Sequence, residues 1–150
     1  MKQAFFGATA GSIGETSCLM LLLGFVYLLI RRVIDWKIPI TYIAVFALLT
    51  FLFGKNTTGM DQVSYTLLHV MSGGLFLGAF FMATDYVTTP TTPLGHIIFG
   101  VGCGILTFVI RRFGGYPEGV SFSILLMNVC APLIDRYTVP KKFGEVRKHG

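Results

Sequence analysis

The run Leu94-Gly-His-Ile-Ile-Phe-Gly-Val-Gly-Cys-Gly-Ile-Leu-Thr-Phe-Val-Ile110, followed at once by Arg111-Arg112, decides what kind of fold this chain can form. It has almost no polar side chain and no wettable face, and it approaches the ~17–25 residues a helix needs to cross a bilayer. Four similar runs accompany it: Thr16–Ile30, Ile38–Phe53, Leu67–Ala83 and Val120–Ile134, each roughly 15–17 residues long. Hydrophobic residues make up 53% of the chain and charged ones 13%, about half the charged share of an ordinary soluble domain. A water-soluble bundle would need polar faces on these segments, which they lack. The expected fold is therefore an all-α membrane protein, a bundle of five transmembrane helices with polar entrances. The spans are expected at about 16–31, 38–54, 66–83, 94–110 and 120–135, in one integral membrane domain with a tail at 136–150. Arginines directly after apolar runs can snorkel to the interface, so the helices should outlast their uncharged stretches.

Charge sets the expected orientation. With five spans, Arg31, Arg32 and Lys37 fall on the same side as Arg136, Lys141, Lys142, Arg147 and Lys148, eight of the twelve Lys and Arg. The positive-inside rule makes that side cytoplasmic, with the N-terminus outside and the C-terminal tail inside. Arg111 and Arg112 fall on the opposite side and break the rule. The net charge of +5 is thereby explained by membrane topology, with no nucleic-acid partner required. The start of the chain does not read as a signal peptide, because no small-residue cleavage site follows the first long apolar run. Cys18, Cys103 and Cys130 lie in separate apolar runs without Cys-x-x-Cys spacing, as packing thiols do.

Polar residues concentrate at helix entrances. Thr84-Asp-Tyr-Val-Thr-Thr-Pro-Thr-Thr-Pro-Leu-Gly-His96 links two Gly-laced runs, and Thr92 with Pro93 reads as an N-cap followed by a first-turn proline. Such a helix start offers N–H groups and a positive dipole end to polar or anionic groups, although it serves equally as a well-capped turn. Gly11-Ser-Ile-Gly-Glu-Thr-Ser17 contains a Ser12/Glu15 capping box, and Tyr116 and Glu118 sit in the Gly/Pro turn before the fifth run. Asn128 is a polar side chain near mid-bilayer that needs a partner. His69 and His96 near run ends read as satisfied structural histidines. Gly74-x-x-x-Gly78 and Gly100-x-x-x-Gly104 predict close helix approach, in a hairpin of the third and fourth runs. No Ser/His/Asp, metal-ligand or phosphate-loop constellation is visible.

Gly11–Ser17, Trp36-Lys-Ile-Pro-Ile40, Thr84-Asp-Tyr-Val-Thr-Thr-Pro90 and Arg112-Phe-Gly-Gly-Tyr-Pro-Glu-Gly-Val-Ser-Phe-Ser-Ile-Leu-Leu-Met-Asn128 together resemble the D-subunit family of Rnf ion-translocating electron transport complexes. The B subunit of the sodium-pumping NADH:quinone oxidoreductase belongs to the same family. The resemblance spans nearly the whole chain and places it in the C-terminal half of a ten-helix, inverted-repeat subunit. It implies a bacterial inner-membrane subunit of a ferredoxin:NAD oxidoreductase, working with flavin-carrying, iron–sulfur and membrane subunits to couple electron transfer to Na⁺ or H⁺ transport. It further implies FMN, held through a threonine of an Asp-x-x-Ser/Thr-Gly-Ala-Thr motif, and leaves room for riboflavin or a second flavin. Gly7-Ala-Thr9 is not that anchor, because Gln3 and Phe6 stand where Asp and Ser/Thr are needed, so the flavin threonine is expected upstream. Cofactor contacts are expected from Ser12, Gly14, Glu15, Thr16, Asp85, Thr88, Thr89, Tyr116, Glu118 and Asn128, orienting and tuning without acid–base catalysis. The competing reading is a channel or transporter of a small solute without redox chemistry.

Overall fold

In the computed structural model, residues 18–54, 59, 61–71, 74–114 and 119–140 are described, and every regular element among them is helical. In chain order these are α1 (Cys18–Ile30), α2 (Lys37–Phe53), α3 (Gln62–Met71), α4 (Leu75–Met82), α5 (Pro93–Phe113) and α6 (Gly119–Thr138). α5 and α6 are each long and apolar enough to cross a membrane, α3 and α4 would together make a third such span bent by 60°, and α1 and α2 are shorter apolar helices. Leu23, Ile30, Leu52, Leu125 and Val129 are among many large apolar side chains left on the outside. That surface suits lipid and not water, so the chain is a multi-pass membrane protein.

The core is a three-helix sandwich of α2, α5 and α6. A Cβ on Gly100 would lie 3.0 Å from the Ile38 carbonyl oxygen, and one on Gly104 would lie 3.0 Å from that of Tyr42. The two helices run parallel with their backbones nearly touching, as small residues one turn apart permit. On the other face of α5, Met127 of α6 covers Gly102, and Ile110 meets Gly119, so α6 runs antiparallel. Where the three helices meet, three fully enclosed hydroxyls form a chain. Tyr42 Oη lies 2.6 Å from Thr107 Oγ1, Thr107 Oγ1 lies 2.6 Å from Ser123 Oγ, and Ser123 donates to the Val120 carbonyl at 2.7 Å. With Tyr42 donating to Thr107 and Thr107 to Ser123, every hydroxyl proton in the chain has an acceptor, which lipid surroundings demand.

The third apolar run is not one helix. α3 stops at Met71, and the chain resumes at Gly74 with φ of 67°, a left-handed conformation that only glycine adopts cheaply. α4 then opens α-helically over Leu75–Leu77 and widens into a π-helical turn over Gly78–Met82, closed by Ala83 N–H donating to Gly78 O at 2.7 Å. The hairpin expected between the third and fourth runs is absent from the close packing. Gly100 and Gly104 face α2, whereas Gly78 presses on Val120 of α6. α1 covers α4 through Phe25 stacked on Phe80 at 4.2 Å. Cys103 is buried, as a packing thiol should be, while Cys130 is exposed on α6.

Candidate functional site

Two chain turns build a polar recess at one end of the bundle. α1 ends in a Schellman motif: Val33 N–H donates to Leu28 O at 3.1 Å and Arg32 N–H to Leu29 O at 3.0 Å. Arg32 occupies the left-handed position, φ 54°, where glycine is usual. Holding a long cationic residue there costs about 1 kcal/mol, so the backbone is bent against preference at a residue that lines the recess. The second turn is the Thr/Pro segment. Thr92 caps α5, its Oγ1 accepting from Gly95 N–H at 3.0 Å, with Pro93 in the first turn as its sequence implied.

That segment is clasped to the end of α6. Thr91 donates its backbone N–H to Asp135 Oδ1 at 2.8 Å, and its hydroxyl approaches the same oxygen at 3.3 Å. Thr92 Oγ1 donates to Thr138 Oγ1 at 2.7 Å, and Thr138 in turn donates to Ile134 O at 2.8 Å. Within the segment, Asp85 organises its own turn: Thr88 donates to its carboxylate at 3.3 Å and Thr89 to its carbonyl at 2.9 Å. Tyr86 and Val87 are left 91% and 85% exposed at the tip, and Tyr86 also borders the recess.

Between the two turns lies a cavity of about 370 Å³, within the size range of small-molecule sites. Its polar wall comprises Arg32, Asp35, Thr84, Thr89, Thr91 and His96, and Ile34, Ile38 and Pro90 are among its apolar residues. His96 Nδ1 stands 3.2 Å from Asp35 Oδ2, but out of hydrogen-bond alignment, so the buried nitrogen has no hydrogen-bond partner. An orphaned ring nitrogen facing a guanidinium, a carboxylate and threonine hydroxyls makes a wall able to both donate and accept. This set suits a ligand with mixed polar edges and an apolar body.

Of the residues singled out from sequence, Asp85, Thr88 and Thr89 come together here, though only Thr89 lines the cavity. Asn128 sits elsewhere, midway along α6. Its Oδ1 is buried without a hydrogen-bond partner, and Pro132 can supply no N–H to the Asn128 carbonyl four residues back. Thr9, Ser12, Gly14, Glu15, Thr16, Tyr116 and Glu118 lie outside the described residues. Arg32, Asp35 and Asp135 join the site unannounced, since in sequence each resembles an ordinary charge at a run edge. Among the described residues, no group of three His, Cys, Asp or Glu could hold a metal ion.

Arg111, expected to snorkel, instead turns inward. Its Nη1 donates to the His69 carbonyl at 2.9 Å, and its guanidinium sits 5.0 Å from the centre of the Phe46 ring. His69 lies in the last turn of α3, so Arg111 caps one of the carbonyls that the broken helix exposes. The side chain of His69 lies against Tyr65, ring centres 4.2 Å apart and planes tilted by 36°.

Residues 1–144 match the model of the NQR2, RnfD, RnfE family. The chain is 53% identical over 146 residues to the D subunit of the proton-translocating ferredoxin:NAD(+) oxidoreductase complex of Clostridium ljungdahlii, covering 97% of this chain and 44% of that one. It is 48% identical over 134 residues to the D subunit of the Na(+)-translocating ferredoxin:NAD(+) oxidoreductase complex of Acetobacterium woodii, covering 89% and 39%. Against the D subunit of the ion-translocating oxidoreductase complex of Stutzerimonas stutzeri, identity is 47% over 144 residues, covering 96% and 40%. The chain thus spans less than half the length of these relatives.

Proposed function

This chain belongs to the NQR2, RnfD, RnfE family, and from that premise we propose that it is part of a membrane subunit of an ion-translocating ferredoxin:NAD oxidoreductase complex. The observation that carries the reading is the 53% identity, across nearly the whole chain, to the D subunit of such a complex. On this reading, α3 and α4 together make one interrupted span, giving five. The set corresponds to one half of an inverted-repeat subunit in the bacterial inner membrane. Arg31, Arg32, Lys37 and Arg136 share one end of the bundle, which the charge rule makes cytoplasmic and which leaves the N-terminal side outside.

The cavity beneath the Thr/Pro segment is the proposed cofactor recess, and its residues fit a flavin ring. Its volume of about 370 Å³ admits a planar heteroaromatic system, and His96 Nδ1, Arg32 and Asp35 offer hydrogen bonds to a ring edge bearing both donors and acceptors. A bound flavin supplies the redox chemistry; the chain orients it and sets the surrounding charge. Arg32 places a cation beside the ring, and a cation favours the reduced, more negative form. Asp135, through Thr91, holds the wall in place. The covalent FMN threonine belongs upstream of these residues. The exposed Tyr86–Val87 tip is the proposed contact for a neighbouring redox subunit.

The test uses the full-length protein in its assembled complex, followed by flavin fluorescence, flavin midpoint potential and ferredoxin-dependent NAD reduction with ion uptake in vesicles. Replacing Arg32 by Gln should lower a flavin's midpoint potential, and His96→Ala should lower noncovalent flavin content. Normal flavin content, potential and turnover in both variants would falsify the cavity assignment. A colourless complex that passes a solute without electron transfer would instead establish the channel reading.

A further inference from the structure

The two arginines that end α5 stand apart from Arg31, Arg32, Lys37 and Arg136, which occupy the loop-bearing end of the bundle. Basic residues at both ends run against the usual asymmetry of membrane proteins, so the second group needs a local reason. For Arg111 that reason is the carbonyl end of α3. Arg112 caps no carbonyl among the described residues, and its cation lies in the last turn of α5 beside the helix's negative end. It is exposed, and with Arg111 it lines a second cavity of about 130 Å³ walled by Phe46, Thr50, Gly54, Tyr65, His69 and Phe108. None of these lining residues is acidic. The Thr50 hydroxyl proton is committed to the Phe46 carbonyl at 2.8 Å, so the two arginines supply the charged donors of this lining. The volume is under half the ~300 Å³ at which small-molecule sites begin. That holds a tetrahedral oxyanion with a water or two and is far below what a ring cofactor needs.

We propose that this second cavity is a phosphate site, in which Arg112 binds the phosphate ester of a molecule seated against the membrane end. A guanidinium fork matches two phosphate oxygens, and the neighbouring guanidinium adds a fixed charge close to ring faces that keep water out. Arg112 therefore lies on the less basic end because its countercharge is a bound ligand. A phospholipid headgroup and a phosphorylated cofactor present the same group to these residues. The proposal is independent of any flavin in the first cavity.

The experiment uses the full-length protein in its detergent-purified complex, comparing wild type, Arg112→Gln and Arg112→Lys for tightly held phosphorus by ³¹P NMR after exhaustive washing. Arg112→Gln should retain at least fivefold less of the phosphate ester assigned to the site, while Arg112→Lys retains most of it. Solvent extraction separates the sources: phosphorus leaving with phosphatidylglycerol marks a lipid, and phosphorus staying in the aqueous phase marks a cofactor. Equal phosphorus in wild type and Arg112→Gln would overturn the proposal. Should Arg112→Gln not assemble, delipidated wild-type complex is titrated with inorganic phosphate at constant ionic strength. A rise in Tm is expected, and a flat response overturns the site.

Discussion

α5 and the α3–α4 pair flank the same Thr/Pro segment and carry the same Gly-x-x-x-Gly spacing, yet one is a 21-residue unbroken helix and the other snaps in the middle. The glycines of α5 serve proximity, letting α2 approach until backbones touch. In the other pair they divide the work: Gly74 provides a backbone conformation, φ 67°, while Gly78 makes room for Val120. Spacing alone does not separate these uses. What separates them is where the carbonyls freed by a break can go. α3 can end inside the bundle because Arg111, reaching across from α5, accepts the duty of satisfying it.

Four substitutions would break or sharpen this contrast, each read as thermal stability of the full-length protein in detergent. The largest effect is expected from Gly104→Leu, because its first carbon already meets the Tyr42 carbonyl and Val45 at 3.0 Å. Overpacking there should cost about 3 kcal/mol, and a loss below about 1 kcal/mol would mean α2 and α5 are not in intimate contact. Arg111→Ala should cost about 2 kcal/mol by stripping a charged hydrogen bond from the end of α3, with Lys restoring part of it. Indifference to this change would show that the break is satisfied by something else. Gly74→Ala comes next, at about 1 kcal/mol for a side chain forced into the left-handed region; stabilisation would indicate a continuous helix. The smallest effect belongs to Tyr42→Phe, about 0.6 kcal/mol, the typical worth of one hydrogen bond between membrane helices.

Much of this architecture is legible in the residues themselves. Each apolar run coincides with helix, although the third holds two that together begin at Gln62; the Thr92–Pro93 pair caps α5 as its chemistry requires, and α5 and α6 continue past their uncharged stretches through Arg112 and Arg136. The break in the third run is less visible, since a Gly pair within an apolar stretch is equally at home at a helix contact. Partner choice is less visible still: which helix Gly100 faces depends on long-range packing that no local pattern encodes. The candidate recess is half legible. Its threonines advertise themselves by crowding between prolines, whereas Arg32, Asp35 and Asp135 acquire their roles only when three chain ends meet. The hydroxyl chain of Tyr42, Thr107 and Ser123 is hidden in the same way, as single polar letters in separate apolar words.

The widened turn over Gly78–Met82 sets the phase at which the chain leaves the bundle. A π turn accommodates one more residue than the α-helix it interrupts, so it acts as a one-residue spacer between the Gly74 elbow and Thr84. Deleting a single residue there would let the helix relax to ordinary winding with the downstream phase nearly kept, whereas rewinding the turn as α-helix with all its residues would rotate everything downstream by roughly 100° and push it on by about 1.5 Å. Thr91 would then miss Asp135. The register of the exit, more than its composition, is what delivers the threonine segment to its clasp.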